Sequence, residues 1–281
     1  SRAAAPAKLN LYLRVVGRRA NGYHLLDSLV AFCDLADTVE VAPCERLELA
    51  CDGPFAGEAG PTEENLVHRA ATLLAREAGI VARARIRLTK RIPVAAGLGG
   101  GSADAAAILR LLNDFWRLGL SRPALESLGA ALGADVPACL RGRTAFVSGV
   151  GEVLADAPSL AGRAVLLVNP GVPLATAAVF RVHAERPPPR RDPPGRSDSD
   201  RLVPSLAARG NDLIAAAVEL APAVGTVLAA LGSEPGARYA SMSGSGATCF
   251  ALFDDEEEAR EAAGRIGRAR PGWWTHAGRL L

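Results

Sequence analysis

The sequence predicts an α+β fold in two domains, and three observations carry that reading. Strand-like and helix-like segments mix without the regular strand–helix–strand rhythm of a doubly wound sheet. The 281 residues are 49% hydrophobic and 22% charged, enough for a substantial core in one large domain or two modest ones. No unit of roughly 20 to 50 residues repeats, which excludes solenoids and propellers.

Residues 7–16 alternate, with Leu9, Leu11, Leu13 and Val15 on one face and Lys8, Asn10, Tyr12 and Arg14 on the other. That pattern predicts a strand with a chemically rich polar face. Gly17 to Gly22 is a turn cluster, and short strands follow at 25–32, 38–41 and 47–51. A helix is expected over 63–78, capped by Thr62 with Asn65 in its first turn. A strand at 84–88 ends at Lys90; a glycine-rich loop from Pro93 to Gly101 then runs into an alanine-rich helix over 103–112. Pro123 starts a helix over 123–132, and Gly133-Ala134-Asp135-Val136-Pro137 ends it as a turn. Strands are expected at 145–150 and 164–168. The Pro- and Arg-rich segment 186–201 cannot pack a core and reads as an exposed, mobile loop. Helices at 212–219 and 222–231 follow, then strands at 239–242 and 248–253 around the loop Ser243 to Ala247. A charged helix at 256–266 and a terminal strand complete the chain. A boundary near 155–162 divides an N-terminal domain, 1–157, from a C-terminal domain, 158–281.

Composition limits the function. Thirty-two basic and 30 acidic residues give a net charge of +2, whereas a protein that wraps nucleic acid needs a clear basic excess. The most apolar long stretch, Leu213 to Leu231, contains Glu219 and Pro222, so no membrane span is expected. The first six residues have no apolar stretch behind their charge, so no signal peptide is expected either. The five cysteines (Cys33, Cys44, Cys51, Cys139 and Cys249) are odd in number and form no C-x-x-C, and the four histidines are scattered. Buried free thiols in a reducing cytoplasm are the natural reading, with neither a disulfide framework nor a clustered zinc site. Of the 32 basic residues only Lys8 and Lys90 are lysine. A chain that otherwise takes arginine points to these as places that need a compact ammonium.

The strongest chemical signal is Pro93-Val-Ala-Ala-Gly97-Leu98-Gly99-Gly100-Gly101-Ser102-Ala103. Its glycines remove side chains that would keep a ligand from the backbone, and the following helix offers unpaired N–H groups to an anion. It is neither a Walker A loop nor G-x-G-x-x-G. By itself it is either a phosphate cradle or a flexible turn capped by Ser102, with Asp104 in the first helical turn. The second glycine loop, Ser243-Gly244-Ser245-Gly246, fits a tight hairpin when taken singly. Lys8 and Asn10 point to one place from one strand face, or mark an exposed edge. Asp135 alone is a turn former as readily as a base, and Tyr23-His24 a core tyrosine beside a surface histidine.

Together, in this order, these segments resemble the GHMP kinase superfamily. The opening motif is Pro6-Ala-Lys-Leu-Asn-Leu, the phosphate loop runs from Pro93 to Ala103, and the third motif is Ser243-Gly-Ser-Gly-Ala-Thr. Gly17-Arg-Arg-Ala-Asn-Gly-Tyr-His, Glu64-Asn-Leu, Leu132-Gly-Ala-Asp-Val-Pro, Asn169-Pro-Gly-Val and Gly210-Asn-Asp-Leu extend the match. They extend it to those members that phosphorylate a cytidine diphosphate-linked methylerythritol. The similarity spans residues 5 to 255, interrupted at the Pro-rich segment, and its specificity lies in the joint occurrence of the motifs.

The resemblance implies an N-terminal domain like ribosomal protein S5 domain 2, a smaller C-terminal α+β domain, and a site between them. It implies a cytoplasmic ATP-dependent kinase acting on the tertiary 2-hydroxyl of the methylerythritol part, a step of the non-mevalonate route to isoprenoids. ATP is the co-substrate with Mg2+, for which no protein carboxylate is assigned and Ser102 is a candidate ligand. Asp135 matches the catalytic aspartate and Lys8 its partner. Asn10 and Thr176 match acceptor-lining residues, Tyr23 and Phe180 an aromatic pair around cytosine, and His24 a hydrogen bond to the base. Pro93 and Gly97 to Ala103 match the phosphate loop, and Asn65 a contact to adenosine. Ser243, Gly244, Ser245 and Gly246 match a segment near acceptor and phosphates. Oligomeric state stays open. The alternatives are another kinase of the superfamily, acting on homoserine, mevalonate or a sugar, a noncatalytic RNA-binding module, and a dinucleotide-dependent oxidoreductase. Tyr23-His24 argues against the first; the charge balance and two glycine loops argue against the second; the missing fingerprint argues against the third.

Overall fold

The alternation that opens the chain runs further than residues 7–16. In a computed structural model, which describes residues 1–20, 22–186 and 202–281, the first strand, β1, covers Arg2–Arg18. The stretch from 187 to 201, and with it the expected mobile loop, lies outside the described residues. After β1 come β2 (His24–Ala42), β3 (Leu47–Asp52), α1 (Leu66–Glu77), β4 (Ala84–Thr89), α2 (Gly100–Phe115), α3 (Arg122–Leu132) and α4 (Val136–Arg141). Then follow β5 (Ala145–Gly149), β6 (Val153–Asp156), β7 (Ala164–Asn169), α5 (Thr176–Ala184), α6 (Leu202–Arg209), α7 (Ile214–Leu220) and α8 (Ala223–Gly232). The chain closes with β8 (Tyr239–Met242), β9 (Cys249–Phe253), α9 (Glu256–Ala269) and β10 (Trp274–Arg279).

Several local expectations change. The two short strands at 25–32 and 38–41 are one strand, β2. Between the two stretches, Asp37 is fully buried against Lys90 and Asp34 Oδ1 lies 3.1 Å from His276 Nε2, and the backbone stays extended. Helix α1 starts at Leu66, and its cap is Asn65, whose side chain accepts the Val67 N–H at 2.9 Å. Thr62 does not serve. Helix α2 starts at Gly100, so Gly101 and Ser102 are helical and Ser102 is not its cap; Gly99, left-handed at φ +62°, precedes the helix. The turn at 133–137 continues as α4, with Pro137 in its first turn, where a missing N–H is harmless. The short elements β6, α5 and α6 are additional to the expected ones.

The chain divides into two compact units built from interleaved segments, whereas the expected cut at residue 157 divides it once along its length. The first unit comprises residues 1–8, 35–94 and 99–143. In it the second half of β2 pairs antiparallel with β4, Thr38 opposite Thr89, and β3 runs parallel to β4, Leu47 opposite Ala84. Val39, Val41, Ile86 and Leu88 from these strands are buried, as are Val67 and Leu74 of α1 and Ile108 and Leu112 of α2. The second unit comprises residues 9–34, 95–98 and 144–281. There the first half of β2 pairs antiparallel with β5, Leu26 opposite Gly149, and β5 with β6. A separate antiparallel sheet has the order β10-β7-β9-β8. Its core includes Leu166 and Val168 of β7, Val224 and Val227 of α8, and Ala251 and Phe253 of β9.

Candidate active site

In the first unit, Lys8 at its place on β1 meets Asp135 at the entry to α4. Lys8 Nζ lies 2.9 Å from Asp135 Oδ2. The lysine side chain is 5% exposed and the aspartate 43%, so a buried ammonium holds a carboxylate that solvent or a ligand can reach. Asp135 lies in the turn that precedes α4 and makes no side-chain cap bond; its carboxylate is turned to Lys8. Gly99 lies against this pair. A methyl group there would sit 3.1 Å from Lys8 Cε and 3.9 Å from Asp135 Oδ2, and its positive φ independently favours glycine. The amides that open α2 therefore stand beside the ammonium–carboxylate couple, and the helix dipole adds positive potential there. Gly101 faces Leu66 at the start of α1, where a Cβ would come 3.4 Å from Leu66 Cδ1. That brings the Asn65 turn next to the loop. Asn65 spends its oxygen on the cap, while its Nδ2 reaches Ala59 O at 3.5 Å. Burial, the largest cause, pushes the nearby Cys139 thiol up to about 12, so it adds no charge beside the pair.

In the second unit, the rest of the loop meets the second glycine loop. A side chain at Gly97, φ +77°, would collide with the carbonyl oxygens of Ser243 and Gly246. Ser243 Oγ donates to Gly97 O at 2.8 Å and accepts the Asn10 N–H at 3.1 Å. Thr248 N–H donates to Ala96 O at 3.2 Å. Asn10 Nδ2 donates to Ser28 Oγ at 2.9 Å, and Thr176 Oγ1 lies 2.8 Å from Ser245 Oγ. Asn10, Thr176, Gly97 and the Ser243–Gly246 loop thus form one cluster. The edge reading fails for Lys8 and Asn10, which are 4% and 5% exposed. His24 stacks on Phe180 with ring centroids 4.8 Å apart, and Tyr23 is 64% exposed. Burial first, then Arg18 and His183, lowers the proton affinity of His24, favouring a neutral imidazole that can accept as well as donate.

Sequence reasoning missed three buried residues here. Asn211 Nδ2 donates to both Met242 O and Gly244 O at 2.8 Å, tying down the second glycine loop. Asp37 and Asp104 both contact Lys90. The scarcity of lysine singled out Lys90; nothing in the sequence marked its partners.

Two family models match the chain: the GHMP kinases N terminal domain over residues 65–143 and GHMP kinases C terminal over residues 199–271. The chain belongs to the GHMP kinase family, small-molecule phosphotransferases that use ATP. More particularly, it falls among the 4-diphosphocytidyl-2-C-methyl-D-erythritol kinases. The protein of that name from Paramagnetospirillum magneticum is 48% identical over 280 residues, 99% of this chain and 97% of its own. The one from Paracoccus denitrificans is 51% identical over 281 residues, 99% and 96% of the two chains. A crystal structure of 4-(cytidine 5'-diphospho)-2C-methyl-D-erythritol kinase is 36% identical, with a TM-score of 0.82 over 100% of this chain and 99% of that one. Among the described residues no helix is long and apolar enough to cross a membrane.

Proposed function

We propose that this chain transfers the terminal phosphoryl group of ATP to the 2-hydroxyl of 4-diphosphocytidyl-2-C-methyl-D-erythritol, in the cytoplasm, as a step of the non-mevalonate route to isoprenoids. The observation that carries the reading is the 2.9 Å contact between Lys8 Nζ and Asp135 Oδ2, with Gly99 against both. Phosphoryl transfer through a loose transition state needs positioning and charge stabilisation more than covalent help. Asp135 orients the acceptor hydroxyl and takes its proton, while Lys8 stabilises charge on the group in flight. The amides from Gly99 to Ser102, with Pro93, Gly97, Leu98 and Ala103 shaping the loop, hold the phosphates, and Asn65 contacts the adenosine. Mg2+ would be carried mainly by the phosphates of ATP, as that ion commonly is.

Asn10, Thr176 and the Ser243–Gly246 loop line the acceptor. Tyr23, His24 and Phe180 recognise the cytosine: Tyr23 covers one face, and the stacked Phe180 and His24 supply a second aromatic surface and an edge for hydrogen bonding. The family's two domains correspond on this reading to residues 1–157 and 158–281.

A coupled ADP-release assay across cytidine-linked and cytidine-free acceptors tests the assignment; turnover confined to the former is expected. Asp135→Ala should lower kcat by about 10²- to 10⁴-fold with ATP still bound. A near-normal kcat would remove Asp135 from the mechanism. His24→Ala should raise KM for the cytidine substrate far more than for ATP.

A further inference from the structure

Behind the first turn of α2 lies a charge cluster that the transfer step does not use. Lys90 Nζ contacts Asp37 and lies 2.7 Å from Asp104 Oδ2; the three side chains are 4%, 0% and 3% exposed. Asp37 also accepts the backbone N–H groups of Arg91 and Ile92, the latter at 2.8 Å, just before the phosphate loop. Asp104 belongs to α2, and its Oδ1 is buried without a hydrogen-bond partner. The cluster touches the loop directly: a Cβ on Gly100 would sit 3.4 Å from Lys90 Nζ and 3.2 Å from Ile92 Cγ2.

We infer that Lys90 is a positioning residue for the nucleotide: clamped between Asp37 and Asp104, it sets the placement of the amides at the start of α2 and keeps negative charge from accumulating behind them. The inference rests on the reading of that loop as the phosphate site. The physical argument has two parts. The clamp ties β2, the segment after β4 and α2 to one point, so the helix end that faces the phosphates is placed by Lys90. Two ionised carboxylates against one ammonium would also leave an uncompensated negative charge behind an anion site. Burial, reinforced by Asp37, raises Asp104 to about 8 against the opposing pull of Lys90. Burial alone would lower Lys90, yet the two carboxylates raise it, so it stays an ammonium. Below about pH 8 a proton on Asp104 therefore makes the cluster neutral; above it the cluster turns negative. Among the described residues, the Cys51 thiol on β3 and the Cys139 thiol on α4 also interact with Asp104, both raised by burial and hence uncharged at neutral pH.

The test is calorimetric titration of ADP into the full chain, with Tm recorded beside it. Lys90→Met should weaken ADP by about tenfold or more, within the usual range of coupling between sites, and raise KM for ATP more than KM for the acceptor. Wild type should weaken for ADP by about fivefold or more between about pH 7.5 and about pH 9, and Asp104→Asn should abolish that loss. A folded Lys90→Met with a lowered Tm but wild-type ADP affinity would overturn the inference, because a purely structural clamp predicts that pattern. Should Lys90→Met fail to fold, Asp104→Asn decides: an alkaline loss equal to that of wild type overturns it. If wild type itself binds no ADP at any pH, the phosphate-site reading falls and takes this inference with it.

Discussion

The chain's two lysines are chemically identical and both buried, yet they sit in opposite electrostatic settings. Lys8 meets the carboxylate of Asp135, which is 43% exposed. Lys90 faces two, those of Asp37 and Asp104, exposed by 0% and 3%. An open pair can exchange partners with a ligand at small cost, because water and substrate replace what is lost. A closed pair cannot, since removing one member strands a charge in a low-dielectric interior. The first arrangement suits chemistry, the second suits architecture. Both stand against the start of α2, Lys8 at Gly99 and Lys90 at Gly100.

Removing each ammonium should separate the two roles. The largest effect on folding is expected for Lys90→Met, which leaves the buried carboxyl groups of Asp37 and Asp104 without their cation and should lower the unfolding free energy by about 3–5 kcal/mol. Urea unfolding measures it; a loss below about 1 kcal/mol would dissolve the contrast, because that is the range of exposed pairs. Lys8→Met should behave in the opposite sense. Its kcat should fall by about 10²- to 10³-fold, the scale for one group stabilising transition-state charge, with a Tm close to that of wild type. Steady-state kinetics and a thermal melt on one preparation decide it, and a large Tm loss with unchanged kcat would reverse the assignment of the two lysines.

The smallest effect sharpens the comparison through pH. The folded state raises Asp104 from 3.8 to about 8, so it binds a proton that the unfolded chain releases. Stability from this group is complete below the unfolded value and declines as pH rises toward about 8. Asp104→Asn should therefore gain stability relative to wild type as pH rises across that window. A difference between the two proteins that does not change with pH would show that Asp104 keeps its ordinary proton affinity in the fold.

What could be read from the chain follows from how local each signal is. The glycine-rich loop, the strand carrying Lys8 and Asn10, and the helices α3 and α8 came through because turn chemistry and periodicity act over a few residues. The break expected in β2 failed for a reason outside that range. Asp37 carries the character of a turn residue, and only a partner 53 positions away explains its place in a buried strand. Asn65 was assigned to the first turn of α1 when it is the cap, an error of the size that helix ends invite. Asn211 stands in the motif Gly210-Asn-Asp-Leu without a role, since an asparagine in such a turn looks the same whether or not its amide bonds a carbonyl 31 residues on.

The sequence by itself determined the class of fold and the family, because these are written in motif order and in spacing along one chain. Tertiary structure alone decided which charges face one another, which carboxylate is open and which is sealed, and that α2 begins at Gly100 beside both lysines. The physical reason is the dielectric. The energy of a charge depends on what surrounds it in three dimensions, and composition leaves those surroundings unspecified until the chain has folded.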